Sequence, residues 1–280
     1  GRYDQFIDRY CLKNYWGGIF GYKALDELKQ RIQPYMIRRS VAEVMPQLPS
    51  KIVSEIPFEL SGPERALYDK IKKELLFEIE QRELSKVENM ITLQNTLVKM
   101  IRLKQLTCSM ELLSENKTST KLEVLKELLT DILGEQKAII FTQFSTMADI
   151  LERELERYYP VKITGKITDR QSLINLFNSA PAFQILIMTA AGQYGLNIQA
   201  ASIVIHYDNE WSLAKIHQRE GRAHRIGQQR PVLVYHLIAN KTIDSYIKKV
   251  IYKKQELSNN LIGGTPTSLA EIRQILTYSE

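Results

Sequence analysis

Short, almost wholly apolar runs recur at regular intervals between residues 121 and 240, and segments with helical periodicity lie between them. Strands that are buried on both faces have this continuous apolar character, because helices cover both faces of a parallel sheet. With right-handed crossovers, we expect residues 121–240 to form one doubly wound α/β domain. The apolar runs are Ala138–Phe141, Val161–Ile163, Ile185–Met188, Ile203–Ile205 and Val232–Leu237.

The rest of the chain flanks this domain. Residues 1–50 read as short helices followed by a proline-punctuated connector. Residues 51–115 begin with alternating apolar residues that predict a strand, which Pro57 confines to a sheet edge because proline donates no ladder hydrogen bond. Two helical runs follow it, and we expect them to form a helical protrusion. We assign residues 116–240 to the sheet domain and residues 241–280 to a basic helix followed by a short C-terminal helix.

Composition narrows the class of protein. The 280 residues are 44% hydrophobic and 25% charged, which is typical of a soluble globular protein. The net charge of +6 points weakly to a polyanionic partner. The two cysteines, Cys11 and Cys108, form no C-x-x-C pair and the four histidines form no H-E-x-x-H motif, so we expect neither a disulfide framework nor a metal site. No apolar run approaches the ~20 residues of a membrane span, so we expect a soluble, intracellular protein.

One stretch, HQREGRAHRIGQ at His217–Gln228, concentrates side chains that bind oxyanions. Read as a helix, it places Gln218, Arg222 and Arg225 at positions i, i+4 and i+7, on one face. Guanidinium groups keep their charge and bind phosphate through paired hydrogen bonds, so this face is a candidate phosphate site. The alternative is an exposed helix whose arginines are only solvated. Gly221 would lie inside that helix, where glycine costs about 1 kcal/mol relative to alanine.

Small and hydroxyl-bearing residues follow the apolar runs. In a parallel sheet the carboxyl ends of the strands meet at one edge, and the loops there carry function. Backbone N–H groups and hydroxyls at such an edge can bind phosphate oxygens. The alternatives are turn geometry for the glycines and core packing for the tryptophan. The candidates are Thr142, Gln143, Thr164, Gly165, Lys166, Thr189, Gly192, Gly195, Asn197 and Trp211.

The arginine-rich stretch matches a known motif. Residues Gln218–Gln228 reproduce the pattern Q-x-x-x-R-A-H-R-I-G-Q. On this motif the chain resembles the C-terminal, RecA-like lobe of the Swi/Snf-type DNA-translocating ATPases, in helicase superfamily two. Leu48–Lys51 resembles the passage out of the family's first lobe, and Thr189–Gln199 resembles its motif V, although Gln193-Tyr194 replaces the usual Gly-Leu.

The resemblance implies a fold, an activity and a role for each candidate. It implies a RecA-like doubly wound sheet with an N-terminal helical protrusion, in a DNA-dependent ATP hydrolase that translocates on double-stranded DNA to remodel protein–DNA complexes. Arg222 and Arg225 would be catalytic arginine fingers, which contribute ~10³–10⁵ in rate in phosphoryl-transfer systems. Both would project from one helical ridge toward the loop edge of the sheet. The nucleotide would contact Gln218, Gly192, Gly195 and Asn197. The DNA would contact Thr142, Gln143, Thr164, Gly165, Lys166, Thr189 and Trp211.

The nucleotide would be held mainly outside this sequence. No G-x-x-x-x-G-K-[ST] loop occurs in it, so we expect a first lobe beyond these 280 residues to bind most of ATP and Mg²⁺. The partners implied are double-stranded DNA, that first lobe in the same polypeptide and a protein target on DNA, with no membrane. The chain alone is then expected to have no ATPase activity. Two alternatives stay open: a stand-alone DNA- or protein-binding module, and half of an RNA helicase.

Overall fold

The computed structural model describes residues 2–13, 18–35, 45–85, 90–113, 119–189 and 197–260. The chain divides into two compact units. Of the described residues, one unit contains those up to Pro46 together with 252–260, and the other contains Gln47–Ile251. No helix in the described ranges is long and apolar enough to cross a membrane.

Among its described residues up to Tyr35, the smaller unit has two short α-helices and a two-stranded antiparallel sheet. Its elements are α1 (Tyr3–Tyr10), β1 (Cys11–Lys13), β2 (Ile19–Tyr22) and α2 (Leu25–Ile32), and the two strands are antiparallel. The sequence pattern predicts helices alone here. It misses this sheet because strands of three and four residues are too short to show an alternating pattern. Glu27 links α2 to α1, since its carboxylate accepts hydrogen bonds from Arg9 and Tyr10.

A six-stranded parallel sheet organises the larger unit. Its strands are β3 (Lys51–Phe58), β4 (Ala138–Phe141), β5 (Val161–Ile163), β6 (Ile185–Met188), β7 (Ile203–His206) and β8 (Val232–Ala239). They lie in the order β3–β8–β7–β4–β6–β5, and every neighbouring pair is parallel. Each predicted apolar run is one of these strands, so the prediction of a parallel α/β sheet is confirmed.

The edge strand β3 changes one expected boundary. It pairs with β8 over its whole length, from Lys51 opposite Val232 to Phe58 opposite Ala239. Pro57 predicts the edge position correctly, because a residue without an N–H cannot serve an interior ladder on both sides. The pattern assigns residues 51–115 to a helical protrusion, but the first eight of them belong to the main sheet.

Helices cover both faces of this sheet. They are α3 (Gly62–Ser85), α4 (Met90–Cys108), α5 (Thr120–Ile132), α6 (Ser145–Glu154), α7 (Arg170–Ser179), α8 (Leu213–Glu220) and α9 (Ile243–Asn260). Successive strand residues point to opposite faces, so Ile140 and Ile205 join a core with α3, α4, α5, α6 and α9, whereas Ile139 and Val204 join a second core with α7. The short C-terminal helix that the sequence predicts after α9 lies outside the described residues.

Candidate functional site

The arginine-rich stretch is not a single helix. Helix α8 carries Gln218 but ends just before Gly221, which is its C-cap, and the chain continues as successive turns. The one helical face predicted for Gln218, Arg222 and Arg225 is therefore wrong. Gly221 ends the helix instead of lying inside it, in keeping with the low helix propensity of glycine. We call residues 221–228 the arginine segment.

The length of α8 determines where the arginine segment lies. The chain leaves β7 at the carboxyl edge of the sheet, and α8 runs back across one face. Its eight residues span about 12 Å, close to the ~13 Å of a four-residue strand, so it ends near the amino edge. In agreement, the Ile198 N–H, ahead of β7, donates to the Arg222 carbonyl, and the His224 ring contacts the Pro49 carbonyl, ahead of β3. The backbone that carries both arginines therefore lies toward the amino edge and not at the loop edge where we expect it.

Gln228 holds the turns of the arginine segment in place. Its buried Nε2 lies 3.2, 2.8 and 3.2 Å from the carbonyl oxygens of Gln199, Ala201 and Ala223. Its Oε1 accepts hydrogen bonds from the next two backbone N–H groups. A buried amide with this many partners favours one conformation of a polar turn. Gln228 is the last residue of the matched motif, but the sequence does not predict this supporting role. A glutamine within a polar stretch gives no indication that it is buried.

The two arginines are placed differently on this turn. Arg225 is exposed, and Arg222 is half-buried. Burial and the neighbouring cation of Arg225 both lower the pKa of Arg222. Two cations that destabilise each other favour an anion beside them. Gln218 is half-buried on the preceding helix. The segment is therefore chemically suited to bind a phosphate.

Thr142 supports the carboxyl edge from within. It is fully buried, and its Oγ1 donates to Asp208 Oδ2 at 2.6 Å. The backbone N–H of Gln143 donates to the same carboxylate oxygen at 2.7 Å, and the Gln143 amide donates to the Asn209 carbonyl at 3.1 Å. Because its hydroxyl is used inside the protein, Thr142 does not present itself to DNA as the sequence pattern predicts. Gln143 is half-buried and stays a candidate.

The next two strands bring four candidates to the same edge. Gly165 and Lys166 are exposed just beyond β5. Thr164 and Thr189 follow the neighbouring strands β5 and β6 and are only 7% and 6% exposed. The Thr189 N–H donates to the Ile163 carbonyl at 3.1 Å, which continues the pairing of the two strands. The exposed pair is therefore better placed for a large ligand than the two threonines.

The two remaining candidates that the structure describes lie on opposite sides of β7, one before it and one after it. Trp211 is half-buried against the core, with its ring 6.3 Å from that of Tyr246. Asn197 is exposed ahead of β7. Gly192 and Gly195 lie outside the described residues. Of the stretch that resembles motif V, Thr189–Gln199, the structure therefore describes only the first residue and the last three.

A buried polar network, which the sequence analysis misses, extends inward from the carboxyl edge. The Asn209 carbonyl accepts a hydrogen bond from Lys104 Nζ at 2.5 Å, and its Oδ1 accepts one from His236 Nδ1 at 3.1 Å. The His236 ring stacks on that of His206 at 4.4 Å, and both rings face the carboxylate of Glu220 at the end of α8. The sequence sign of this network is the run of polar residues that follows an apolar strand, such as His206, Asp208 and Asn209 after Ile205.

Helix α8 is tied to the loop that precedes it by a buried ion pair. Arg219 is fully buried, and its Nη2 donates to Glu210 Oε1 at 2.7 Å. Burial lowers the pKa of Arg219, while the nearby carboxylates oppose that shift. The Arg219 guanidinium also lies 5.3 Å from the centre of the Phe141 ring. Because the last turn of α8 is bonded to the loop before its first turn, the helix and that loop are held as one piece.

His206, His236 and Glu220 form a group of potential metal ligands, whose ligand atoms lie within 4.8 Å of one another. The two imidazole rings are nearly parallel, with an angle of 7° between them. Lone pairs of parallel rings point along separate planes, so they do not converge on one ion at the ~2.0–2.1 Å that zinc requires. Lys51 also engages Glu220 at 2.6 Å. The group fits a buried pair of stacked rings beside an ion pair better than a metal centre.

Comparison with known proteins identifies the family. The model of the SNF2-related domain matches residues 13–112, and that of the helicase conserved C-terminal domain matches residues 120–227, ending inside the arginine segment. An uncharacterized ATP-dependent helicase of Mycoplasma genitalium is 32% identical over 240 residues, which cover 84% of this chain and 23% of that protein. The chain belongs to the Swi/Snf-type ATPases of helicase superfamily two. It spans about a quarter of the length of the curated relatives it matches.

Solved structures of Swi/Snf-type ATPases have the same fold. The SWI2/SNF2 ATPase core domain of Sulfolobus solfataricus matches with a TM-score of 0.66 at 25% identity, covering 98% of this chain and 58% of that one. The core of that ATPase in complex with dsDNA matches with a TM-score of 0.64 at 26% identity, covering 92% and 55%. The six-stranded sheet is thus the RecA-like lobe of a Swi/Snf-type ATPase.

Proposed function

We propose that this chain is the C-terminal half of a DNA-dependent ATPase that translocates on double-stranded DNA and remodels protein–DNA complexes. One observation carries the proposal: Arg222 and Arg225 stand on a turn that Gln228 fixes at the amino edge of the lobe. Membership of the Swi/Snf-type ATPases supports ATP hydrolysis by the whole protein. A fixed pair of guanidiniums supports a direct part in that reaction.

The two arginines act as fingers on the γ-phosphate of ATP. Phosphoryl transfer is accelerated mainly by positioning and by stabilising charge on the transferred group, and a guanidinium supplies both. Gln218 and Asn197 flank this site, and Gly192 and Gly195 belong to the proposed nucleotide side. ATP and Mg²⁺ are held mainly by a first lobe, because the 280 residues contain no G-x-x-x-x-G-K-[ST] loop.

Duplex DNA binds at the opposite, carboxyl edge. Exposed Gly165 and Lys166 contact the phosphate backbone, joined by Gln143, Trp211 and the backbone N–H groups near Thr164 and Thr189. Thr142 orients this edge through Asp208 without touching DNA. Contacts to phosphates position a protein without reading sequence, so binding is salt-sensitive and largely independent of sequence.

Helix α8 connects the two edges. It begins directly after Trp211 at the carboxyl edge and ends at the arginine segment. The Arg219–Glu210 ion pair and the contacts of Glu220 support movement of α8 together with its flanking loops. A change in DNA contact at the carboxyl edge is thereby passed to the arginines at the amino edge.

Arginine substitutions in the full-length protein test this proposal. We expect Arg222→Ala or Arg225→Ala to reduce DNA-stimulated ATP turnover by ~10³-fold or more, with duplex DNA binding retained. Arg230→Ala, an exposed arginine just beyond the segment, is the matched control and should keep normal turnover. Near-normal turnover in Arg222→Ala or Arg225→Ala would refute the finger role. Activation by RNA in place of duplex DNA would favour an RNA helicase instead.

A further inference from the structure

Three successive residues at the start of β3 each contact the arginine segment or one of its flanks. Lys51 Nζ donates to Glu220 Oε2 at 2.6 Å, immediately before the segment. The carbonyl of Pro49 is 2.9 Å from His224 Nε2, in its middle. The Ser50 carbonyl accepts a hydrogen bond from the Val232 N–H at 2.9 Å, shortly after it. We call Pro49, Ser50 and Lys51 the bracket.

The Lys51–Glu220 contact is an ionic one at neutral pH. Burial alone would raise the pKa of Glu220, but its contacts with His206 and Lys51 outweigh burial and bring the pKa down to about 2. The Glu220 side chain is 5% exposed and that of Lys51 is 30% exposed. A buried carboxylate loses much of its support when its partner is removed, so Lys51 holds the end of α8 in a defined place.

The bracket is attached to the sheet on one side only. Its last residue, Lys51, begins a strand that pairs with β8 along all eight residues. The two residues before Pro49 form a turn and a bend and belong to no strand. Movement of the chain ahead of the bracket therefore reaches Pro49 and its contact with His224 before it reaches the paired strand.

We propose that the bracket positions Arg222 and Arg225, so that the chain entering β3 controls their placement. This inference rests on the finger role proposed for the two arginines. Lys51 and His224 are positioning residues: Lys51 contacts Glu220 beside the segment, His224 within the segment contacts Pro49, and the proposal gives neither a contact with the nucleotide. The contacts of the bracket hold the middle of the segment and both of its flanks, and the segment carries the half-buried Arg222 and the exposed Arg225.

Substitution of Lys51 in the full-length protein is the first test. Lys51→Met keeps the aliphatic stem and removes the charge, and we expect kcat for DNA-stimulated ATP hydrolysis to fall about tenfold or more, since a displacement of about 1 Å can cost ~10²-fold. The KM for ATP and the Kd for duplex DNA should stay within about twofold, because neither ligand touches Lys51. Lys51→Arg should restore most of the kcat.

Lys126→Met is the matched control. Lys126 has almost the same side-chain exposure, 29%, and pairs with Glu154 at 3.0 Å between α5 and α6. It should leave kcat unchanged. A wild-type kcat in Lys51→Met, or an equal loss in Lys126→Met, would overturn the proposal. If Lys51→Met does not fold, Glu220→Gln is tested in its place. The same loss of kcat is expected, and a wild-type kcat in Glu220→Gln would overturn the proposal.

A double-mutant cycle separates positioning from general stability. In a background that carries both Arg222→Lys and Arg225→Lys the two planar guanidiniums are already lost, so Lys51→Met should lower kcat further by much less than its separate effect. Independent, multiplying losses would overturn the proposal. If that background itself leaves turnover unchanged, the finger role fails. If that background is impaired while Lys51→Met is normal, only the bracket fails.

Discussion

Gly227 shows how a single residue sets the shape of the arginine segment. Its φ is +97°, a conformation that residues with a side chain adopt at a cost of about 1–2 kcal/mol. A Cβ at this position would lie 2.6 Å from Gln199 Nε2. We predict that Gly227→Ala lowers the free energy of unfolding by about 1–2 kcal/mol in chemical denaturation. At Gly62 a Cβ would meet nothing within 4 Å, so Gly62→Ala is the control, and equal losses in both variants would contradict the prediction.

The fully buried ion pair of Lys121 and Asp244 is a second site where one residue decides stability. The two side chains are 2.5 Å apart and both are 0% exposed. Burial opposes the charge of Lys121, but the Asp244 carboxylate outweighs burial and raises the pKa of Lys121. We predict that Lys121→Met lowers the free energy of unfolding by about 3–5 kcal/mol, because it leaves a buried carboxylate without its partner. The partly exposed pair of Lys126 provides the comparison, and a loss below about 1 kcal/mol in Lys121→Met would contradict the prediction.

At this scale the sequence predicts which residue types gather at an edge but not which of them face solvent. Thr142 and Gln143 are adjacent and equally plausible as phosphate ligands. Asp208 takes the hydroxyl of Thr142 because β4 and β7 are neighbours in the sheet, with Phe141 opposite His206. A register between strands that are far apart in sequence cannot be derived from one local pattern. Burial of Thr142 was therefore not predictable.

Among the elements, strands were more predictable than helix ends. Apolar runs such as Ile185–Met188 could only be buried on both faces, and Pro57 marked its strand as an edge. The end of α8 was mispredicted because a motif with side chains at i, i+4 and i+7 fits a helix and a series of turns equally well. Glycine at position 221 was the signal that the helix stops there.

The stacked histidines of β7 and β8 make stability depend on pH. Burial and the neighbouring His206 ring lower the pKa of His236 to about 3, with Glu220 on α8 opposing this shift and Lys51 on β3 and Arg219 on α8 adding to it. In the unfolded chain this histidine has an ordinary pKa of ~6.5. Between about pH 6.5 and pH 3 the unfolded chain therefore binds more protons than the folded protein, so the free energy of unfolding falls as the pH drops through this range.

Denaturation at pH 7 and pH 5 tests this dependence. We predict that the free energy of unfolding decreases over this range by at most ~1.4 kcal/mol per pH unit for each histidine. His236→Asn keeps an amide donor toward Asn209 but does not titrate, so its pH dependence should be shallower. Glu220 contributes little here, because its ordinary pKa of ~4.3 in the unfolded chain and its pKa of about 2 in the folded protein both lie below pH 5. An unchanged slope in His236→Asn would contradict the assignment.

For the whole molecule, the sheet separates two surfaces. The strand-end loops lie at its carboxyl edge and the arginine segment lies toward its amino edge. The sequence motifs indicate both surfaces, but not their separation, which follows from the eight-residue length of α8. Under the proposed function, DNA would bind at one edge and the arginines would act on a nucleotide at the other, with α8 as the connection.

Complementation between the two lobes tests most directly whether these arginines act on a nucleotide bound elsewhere. ATP turnover would be measured for the isolated first lobe of the full-length protein, with duplex DNA and Mg²⁺, as this 280-residue chain is added in increasing amounts. We predict no turnover by the chain alone, a rise with the wild-type chain and no rise with its Arg225→Ala variant. Turnover by the chain alone, or equal stimulation by both forms, would contradict this account.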